Sequence, residues 1–418
     1  MATVNPGKIV HPLGLAISLA LAGDLTLFAL LPIFRVEAGL TLGAVGVMFG
    51  VNRLVRVIGN PFAGGLVRHT NKHKFLLIGY SLAVVCTFGY AAAYGFWLFM
   101  ILRIAWGCAW VLIYLGSMSY IFDVTTMHNR GKYSGVFMTW FMIGLAAGSL
   151  FGGSMADILG YHKTMWVCGY LALFAWLVIA IMIPKEINPL KSPPAKTIKS
   201  TLIAAVNSYR HLLKKSPKIK PVLLFYSITQ FANDGIALGT MSLLFMERFP
   251  EGITTGSISI GLASISGISI AFRYIISSIV SPVFGSFSDG KIGRTPIVML
   301  SLFLGSVGFI MLAYAMTIEW LVFALFINAM SVGAALPSLA GLLGDTSPKE
   351  NDAQALGLYA SAGDLGGAIG SFFCYGLLIY IGLNWVYLLT SAGFLIILLF
   401  GFNLLRKPVI MHNIVQSK

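Results

Sequence analysis

The chain has 418 residues, of which 57% are hydrophobic, 13% are aromatic and 10% are charged, and its mean hydropathy is +0.86. Soluble domains carry about 25% charged residues, so this composition excludes an ordinary soluble domain and indicates a polytopic membrane protein. The formal net charge of +14 is explained by membrane topology and by a lipid surface, and it gives no reason to expect nucleic-acid binding.

Twelve apolar stretches are long enough to cross a hydrocarbon core of roughly 30 Å as α-helices. In chain order they lie near 10–34, 41–67, 75–94, 96–122, 133–157, 164–184, 221–246, 256–287, 297–317, 319–343, 354–380 and 385–405. The first stretch begins like a signal peptide but continues past a typical apolar core, so we predict an uncleaved helix. The four cysteines have no paired spacing, which predicts neither a disulfide nor a metal site.

A hydrophilic, basic segment divides these helices into six and six. The sequence therefore predicts an N-terminal bundle over 1–184, a linker over 185–220, a C-terminal bundle over 221–405 and a tail over 406–418. The linker contains one possible amphipathic helix at 200–215.

Lysine and arginine are concentrated in alternate loops. One side of the predicted membrane topology holds most of them, nine in the linker alone, whereas the opposite side holds only Arg35, Lys163 and Arg248. By the positive-inside rule both termini are predicted to be cytoplasmic, in a multi-pass protein of the bacterial inner membrane.

The second predicted helix carries a polar face in the middle of a membrane span. At 100° per residue, Asn52, Arg53, Arg56 and Asn60 fall within an arc of about 100°. An arginine facing lipid would cost roughly 2.5–3.5 kcal/mol, so this face must look into a cavity or onto polar partners.

The other charged residues inside predicted spans are two arginines, Arg103 and Arg273, and three acids, Asp24, Asp234 and Asp364. They can pair with each other and only hold helices together, or they can mark a substrate and proton route. With four arginines and three aspartates, at least one arginine is expected to lack an acidic partner, and a substrate carboxylate can bind it bidentately. The predicted substrate-binding residues are Asn52, Arg53, Arg56, Arg103 and Arg273.

The two halves repeat each other at matched positions. The fifth and eleventh helices share one spacing of small residues: Gly135, Gly144, Gly148 and Ser149 in the fifth, and Gly357, Gly366, Gly370 and Ser371 in the eleventh. Three further matches relate Pro61 and Gly64 to Pro282 and Gly285, Ala22 and Asp24 to Ala232 and Asp234, and Asp123 to Asp345. Small residues let membrane helices approach closely, and Gly144, Gly148, Gly152, Gly366 and Gly370 are predicted to serve this packing. Two parallel six-helix repeats are the plan of carriers that rock around a midplane site.

With these repeats, the sequence resembles the major facilitator superfamily over essentially its whole length. Three stretches carry the resemblance: "GSFSDGKIGR" at 285–294, "RIAWG" at 103–107 and "GLAAGSLFGG" at 144–153, where Ser149 stands in place of the proline of the family's antiporter motif. The resemblance implies an all-α fold of two pseudo-symmetric six-helix bundles, a monomer, a small-molecule substrate and no cofactor.

The resemblance also implies proton coupling. All seven histidines, at 11, 69, 73, 128, 162, 211 and 412, lie at predicted helix ends or in loops, so buried carboxylates must carry the proton. Asp24 is the first candidate, with Arg103 as its modulator, because relatives of the drug-exporter type often pair such residues; Asp234 and Asp364 follow.

A gate on the cytoplasmic side is a further implication. The family's loop motif corresponds to Gly285, Asp289, Gly293 and Arg294 in the second half, while the first half has Gly64 followed by Arg68 where the family expects aspartate. Because superfamily members pack these loops against the opposite half when the cytoplasmic side is closed, the expected contacts are Arg68 with Asp352, and Asp289 with Arg130 or the helix that it starts. Arg68 and Arg130 can also merely serve the positive-inside bias.

The expected function is secondary active transport of a small anionic or zwitterionic solute, such as a polycarboxylate metabolite or a siderophore. Efflux of hydrophobic or cationic drugs remains an alternative, and the aromatic residues Trp106, Trp110, Tyr114, Trp140 and Phe231 could build its pocket. A non-transporting sensor on the same scaffold is a second alternative. No nucleotide-binding, filter or enzyme motif is found, which disfavours an ATP-driven pump, a channel and an enzyme.

Overall fold

The computed structural model describes residues 5–66, 71–126, 128–185, 198–255, 258–290, 292–348 and 352–406. The first half contains α1 (Gly7–Leu30), α2 (Leu42–Leu66), α3 (Lys72–Ala92), α4 (Phe96–Val124) and α5 (Arg130–Met182), and α6 (Ile198–Lys215) follows it. The second half contains α7 (Ile219–Gln230), a π-helical segment (Phe231–Ala237), α8 (Leu238–Arg248), the strands β1 (Ile253–Thr255) and β2 (Ile258–Ile260), α9 (Leu262–Asp289), α10 (Arg294–Ala313), α11 (Ile318–Thr346) and α12 (Asp352–Arg406).

Two of these helices each contain two membrane spans. α5 is interrupted at Gly160 and α12 at Gly382, both with positive φ (79° and 73°), a backbone conformation that glycine adopts without steric strain. After Gly160 the chain runs back along α3, where Trp176 donates a hydrogen bond to Ser81. With α7, the π-helical segment and α8 counted as one span, the described residues form twelve spans, six in each half. The predicted two-bundle fold is confirmed.

The spans of the second half differ from prediction in two places. The predicted span 221–246 is not a regular α-helix, because residues Phe231–Ala237 form a wider π-helical turn. The predicted span 256–287 begins later, at Leu262, because the residues before it form the antiparallel hairpin of β1 and β2.

Glycines bring the matched helices of each half together. An added Cβ at Gly144, Gly148 or Gly152 of α5 would stand 2.5, 2.7 or 1.9 Å from an atom of α1. At Gly366 and Gly370 of α12 it would stand 1.9 and 2.2 Å from carbonyl oxygens of α7 and the π-helical segment. The repeated glycines therefore lie at equivalent helix crossings, where the backbones can approach this closely only because side chains are absent.

We call the end of the bundle that carries β1 and β2 the hairpin side, and the opposite end, which carries α6, the linker side. On the hairpin side the two halves are in direct contact. The Ser242 hydroxyl of α8 donates to the Ala29 carbonyl of α1 at 2.7 Å. The Phe49 and Tyr375 rings, from α2 and α12, meet edge to face with centroids 6.1 Å apart.

A carboxylate strengthens the hairpin-side contact between α5 and α9. Asp157 of α5 accepts hydrogen bonds from the backbone N–H groups of Ala263 (3.2 Å) and Ser264 (2.7 Å) in the first turn of α9. Asp157 thus caps the N-terminus of a helix in the opposite half, an arrangement that favours negative charge at the positive end of the helix dipole. Opening of the hairpin side would separate these two N–H groups from their partner.

Replacing Asp157 with alanine is expected to shift the conformational equilibrium toward opening on the hairpin side. A lost cap costs about 0.5–2 kcal/mol, enough to change a balanced equilibrium several-fold. Spin labels placed across the hairpin side would show a larger population of long distances in Asp157→Ala. Asp157→Asn, which keeps an acceptor oxygen, should lie between this variant and the wild type; an unchanged distance distribution in Asp157→Ala would contradict the assignment.

The predicted linker helix is α6, which lies on the linker side against α2 and α12, one helix from each half. Its Leu212 side chain is fully buried, and the Tyr209 hydroxyl lies close to Gly357 of α12. α6 therefore spans the junction between the halves on the linker side.

Candidate functional site

Two ion pairs cross between the halves near the middle of their helices. Arg53 of α2 lies 3.0 Å from Asp234 of the π-helical segment, and Arg56 lies 3.7 Å from Asp364 of α12. Asn60 of α2 donates a hydrogen bond to the same Asp364 carboxylate at 3.1 Å. The polar face predicted on this helix thus faces the acids of the opposite half.

Asn52 and Trp110 hold the Arg56 side chain in place. The Asn52 amide oxygen, fully buried, accepts from both Nε and Nη2 of Arg56 at 3.3 Å. The guanidinium lies over the Trp110 ring of α4, 5.1 Å from its centroid. A cation in this position is attracted by the electron-rich face of the indole, which adds to the ion pair.

Asp234 is held by its own helix as well as by Arg53. Gln230, one turn earlier, donates a hydrogen bond to the Asp234 carboxylate at 2.9 Å. The Asp234 side chain keeps 25% of its surface exposed, whereas the Arg53 side chain keeps 10%. π-helical turns occur often at functional sites, and this one places an acid at the junction of the two halves.

Arg273 differs from the other arginines inside the membrane spans. Its Nη2 donates to the Asn233 backbone carbonyl at 3.4 Å, and the residue is 7% exposed. Its Nε has no hydrogen-bond partner among the described residues, a feature that it shares with Arg53 Nε. Within the described ranges it forms no ion pair with an acid. The Tyr274 side chain beside it is close enough to Arg53 and Asp234 to interact with their charges. In the part of the chain that the structure describes, the site therefore contains one positive charge without a carboxylate partner.

Arg103 lies apart from the other three arginines and pairs with Asp24, as predicted, so its role in substrate binding stays a prediction. Its side chain is completely buried within the first half, where Nη1 lies 2.5 Å from Asp24 and Nε donates to the Met48 carbonyl. The rings of Phe28 and Tyr90 lie 5.6 and 6.0 Å from the guanidinium carbon. Side chains of the first half enclose the pair, so no substrate reaches Arg103 in this conformation.

The loop motif of the second half forms an ion-pair network on the linker side. Arg294 lies 3.0 Å from Asp289 and 2.5 Å from Asp345, and it also donates to the Gly341 carbonyl. Gly293, which precedes α10, has a φ of 83° that other residues rarely adopt. In the first half, the matching ion pair joins Lys72, at the start of α3, to Asp123, at the end of α4.

The predicted contact of Asp289 with Arg130 is not formed in this conformation. Asp289 pairs with Arg294, and the Arg130 guanidinium lies over the Phe122 ring, 4.9 Å from its centroid. The physical reason is that this structure joins the halves on the hairpin side, whereas the expected contact belongs to closure on the linker side. Arg68 lies outside the described residues.

Two further predicted gate residues are described only through their backbone. Gly64 lies in the last turn of α2, and Asp352 is the first residue of α12. Nothing in the structure places the side chain of Asp352 relative to the loop after α2, so this contact stays a prediction.

Gln230 and Tyr274 of the site, and Asp157 on the hairpin side, were not predicted from the sequence. Gln230 could have been found from its spacing, because it stands four residues before Asp234 on a helix and such pairs lie on one face. Tyr274 and Asp157 give no such signal in the sequence, because a tyrosine next to an arginine and an acid near a helix end are both common. The packing of α9 brings Tyr274 near the charged side chains and Asp157 to the Ala263 N–H.

The model of the family described as the Major Facilitator Superfamily matches residues 13–279 and 264–414, which together cover nearly the whole chain. The chain belongs to the Major Facilitator Superfamily. Members of this superfamily are non-enzymatic membrane carriers with small-molecule substrates, and alternating access and proton coupling are typical of them.

Curated relatives of this Major Facilitator Superfamily chain include transporters of archaea and bacteria. It is 25% identical over 346 residues to an uncharacterised MFS-type transporter of Methanocaldococcus jannaschii, covering 81% of this chain and 84% of the relative. It is 22% identical over 385 residues to the multidrug resistance protein MdtG of Escherichia coli, covering 90% and 89%. It is 24% identical over 203 residues to the quinolone resistance protein NorA of Staphylococcus aureus, covering 48% and 50%.

Solved structures of the superfamily share the fold. A bacterial homologue of the human lysosomal transporter Spinster matches with a TM-score of 0.78 at 12% identity, covering 97% of this chain and 98% of that one. The human organic anion transporter MFSD10 matches with a TM-score of 0.67 at 17% identity, covering 96% and 100%.

Proposed function

We propose that this carrier moves a small organic anion across the membrane by alternating access, coupled to protons. Arg273 is the observation that supports it: a buried arginine near the middle of α9 that, unlike Arg53, Arg56 and Arg103, forms no ion pair with the described acids. The Asp234 carboxylate is close enough to interact with the Arg273 charge but forms no ion pair with it, so a substrate carboxylate that binds the guanidinium supplies the direct partner that this buried charge lacks.

The charge balance of the site favours a substrate with a single negative charge. Among the described residues, three of the four arginines inside the spans have aspartate partners, and Arg273 has none. The polycarboxylate expected from the number of arginines is therefore a poor match, because its further carboxylates would have to displace Asp234 or Asp364. A monocarboxylate, or a zwitterion bearing one carboxylate, fits without breaking a pair.

For proton coupling, Asp234 is a better candidate than Asp24, the residue first predicted for this role. The Asp24 side chain is 5% exposed and is enclosed with Arg103 inside one half. Asp234 is more exposed and pairs with Arg53 across the two halves, so rocking of the halves separates this pair.

The positive-inside bias supports a placement with both termini in the cytoplasm, in the inner membrane of a bacterial cell. The linker side, with α6 and the ion-pair network of Arg294, is then the cytoplasmic side, and the hairpin side faces outward. The carrier is proposed to act as a monomer, as is typical of the superfamily.

The test is binding and uptake in proteoliposomes with matched pairs of compounds, each an organic carboxylate and its neutral amide. The carboxylate should bind and drive counterflow, and the amide should not. An imposed pH gradient should concentrate the carboxylate in the wild type, and Asp234→Asn should retain counterflow while losing this accumulation. Preference for the amide or for an organic cation would overturn the anion proposal.

Efflux of drugs is the second candidate function, and two observations favour it. The relatives MdtG and NorA are named for multidrug and quinolone resistance. The partly exposed aromatic residues Trp110 and Tyr114 lie beside the polar site and offer an apolar surface. The two candidates differ in the charge that the substrate carries, which the carboxylate and cation probes measure directly.

A further inference from the structure

Three aromatic rings form a continuous wall next to Arg56. Trp110 and Tyr114 of α4 are stacked, with ring centroids 5.7 Å apart and planes 21° from parallel. Phe141 of α5 leans on Trp110, also at 5.7 Å between centroids. All three are only partly buried, unlike Trp106 one turn earlier, which is 1% exposed. We call Trp110, Tyr114 and Phe141 the aromatic wall.

The rings of α4 in the aromatic wall have no aromatic counterparts in the second half. The repeat that relates Asp123 to Asp345 places Val332 opposite Trp110 and Leu336 opposite Tyr114 in the sequence of α11. Val332 and Leu336 are partly buried, as the two aromatics are, so the matched surfaces have similar exposure but carry aliphatic side chains in place of rings. Packing of the shared fold does not require rings at this level, because the second half is built without them there.

A polar strip links the aromatic wall to Arg273. Arg56 lies over the Trp110 ring, and Arg53, one turn away on α2, pairs with Asp234. Asp234 follows Asn233, whose backbone carbonyl accepts from Arg273. The aromatic wall is thus on the first half, Arg273 is on the second half, and the ion pairs between the halves lie between them.

We propose that the substrate is an amphipathic monoanion whose flat aromatic body stacks on the aromatic wall and whose single carboxylate binds Arg273. This inference rests on the proposed function and narrows it to one substrate class. A flat ring gains from offset stacking on Trp110 and Tyr114, and a carboxylate gains from the two-pronged geometry of the Arg273 guanidinium. Such a ligand contacts both halves at once, so its binding energy depends on their relative position, as a carrier requires.

The experiment measures binding of four probes to the purified full-length carrier in nanodiscs by calorimetry: 2-naphthoate, 2-naphthamide, 2-naphthylmethylammonium and propionate. The expected order has 2-naphthoate tightest, by about tenfold or more over each of the others, because it alone supplies both the ring and the charge. Trp110→Ala should weaken 2-naphthoate about tenfold and leave propionate unchanged, whereas Arg273→Gln should weaken both carboxylates.

Two variants serve as controls. Trp110→Phe keeps a flat ring and should retain most of the affinity for 2-naphthoate, which separates loss of stacking from loss of folding. Trp166→Ala removes a half-exposed tryptophan that packs on Phe88, away from the site, and should change nothing.

The outcomes separate the two proposals. If propionate binds as tightly as 2-naphthoate, or if Trp110→Ala binds 2-naphthoate like the wild type, the aromatic wall is not a substrate surface and only the anion proposal survives. If 2-naphthylmethylammonium binds tightest, the anion proposal itself fails. Absence of any 2-naphthoate binding overturns the inference as well.

Discussion

Replacing Asp24 with asparagine is expected to lower the free energy of unfolding by about 3–5 kcal/mol, the largest stability effect that we predict for a polar substitution. The Arg103 side chain is 0% exposed and Asp24 is its only acidic partner among the described residues. The asparagine variant leaves a guanidinium charge buried among Phe28 and Tyr90 without a counter-charge. Denaturation in mixed micelles, followed by tryptophan fluorescence, would measure the loss.

A matched control is Asp123→Asn, the same substitution in the Lys72 ion pair, where both side chains keep 23% of their surface exposed. Exposed pairs contribute about 0–1 kcal/mol, so this variant should unfold almost like the wild type. The double variant Asp24→Asn with Arg103→Leu should recover most of the loss, because the matched position of the second half already carries Leu325. Equal stability of the two asparagine variants would contradict the assigned role of this pair.

Replacing Gly153 with alanine is expected to prevent full closure of the hairpin side and to reduce transport more than tenfold. An added Cβ would stand 2.2 Å from the Ala263 carbonyl oxygen and 3.1 Å from the Cα atom of Gly267. Both obstacles are backbone atoms of α9, so the two halves must move apart rather than repack side chains. Spin-label distances across the hairpin side should lengthen, together with slower counterflow.

Gly135→Ala is the control for this prediction, because it lies on the same helix with nothing within 4 Å of an added Cβ. Alanine also has the higher helix propensity, so this variant should transport normally and be no less stable. If Gly153→Ala keeps wild-type spin-label distances across the hairpin side and wild-type transport, the close contact between α5 and α9 is not required for closure, and the prediction is wrong.

Periodic and compositional patterns were enough to predict the architecture. Membrane spans are a local property, since each must satisfy its own backbone hydrogen bonds and bury about 20 apolar residues, and hydropathy therefore finds them. The polar face of α2 was predictable for the same reason: at fixed helical spacing, Arg53, Arg56 and Asn60 must point one way whatever surrounds them. The repeated glycines predicted close helix crossings, and the structure has backbones in contact there.

Local deviations from regular helix were not predictable. The sequence "FANDGIA" has no feature that distinguishes a π-helical turn from an α-helical one. In the structure, Gly235 of this turn packs directly against the backbone of Gly370 of α12. The gaps between the predicted spans 133–157 and 164–184, and between 354–380 and 385–405, nevertheless contain the breaks, which the structure has at Gly160 and Gly382 with positive φ.

Hydropathy, spacing and the internal repeat were sufficient to predict a twelve-span carrier of two related halves with more arginines than aspartates in its membrane interior. They could not predict which of these charges neutralise each other. Arg103 and Arg53 each had three possible acidic partners in the sequence. Helix packing pairs Arg103 with Asp24 inside the first half, and Arg53 with Asp234 across the two halves. Arg273 was left without an acid among the described residues for the same reason: an ion pair needs its atoms within about 4 Å, and that distance is set by helices far apart in sequence.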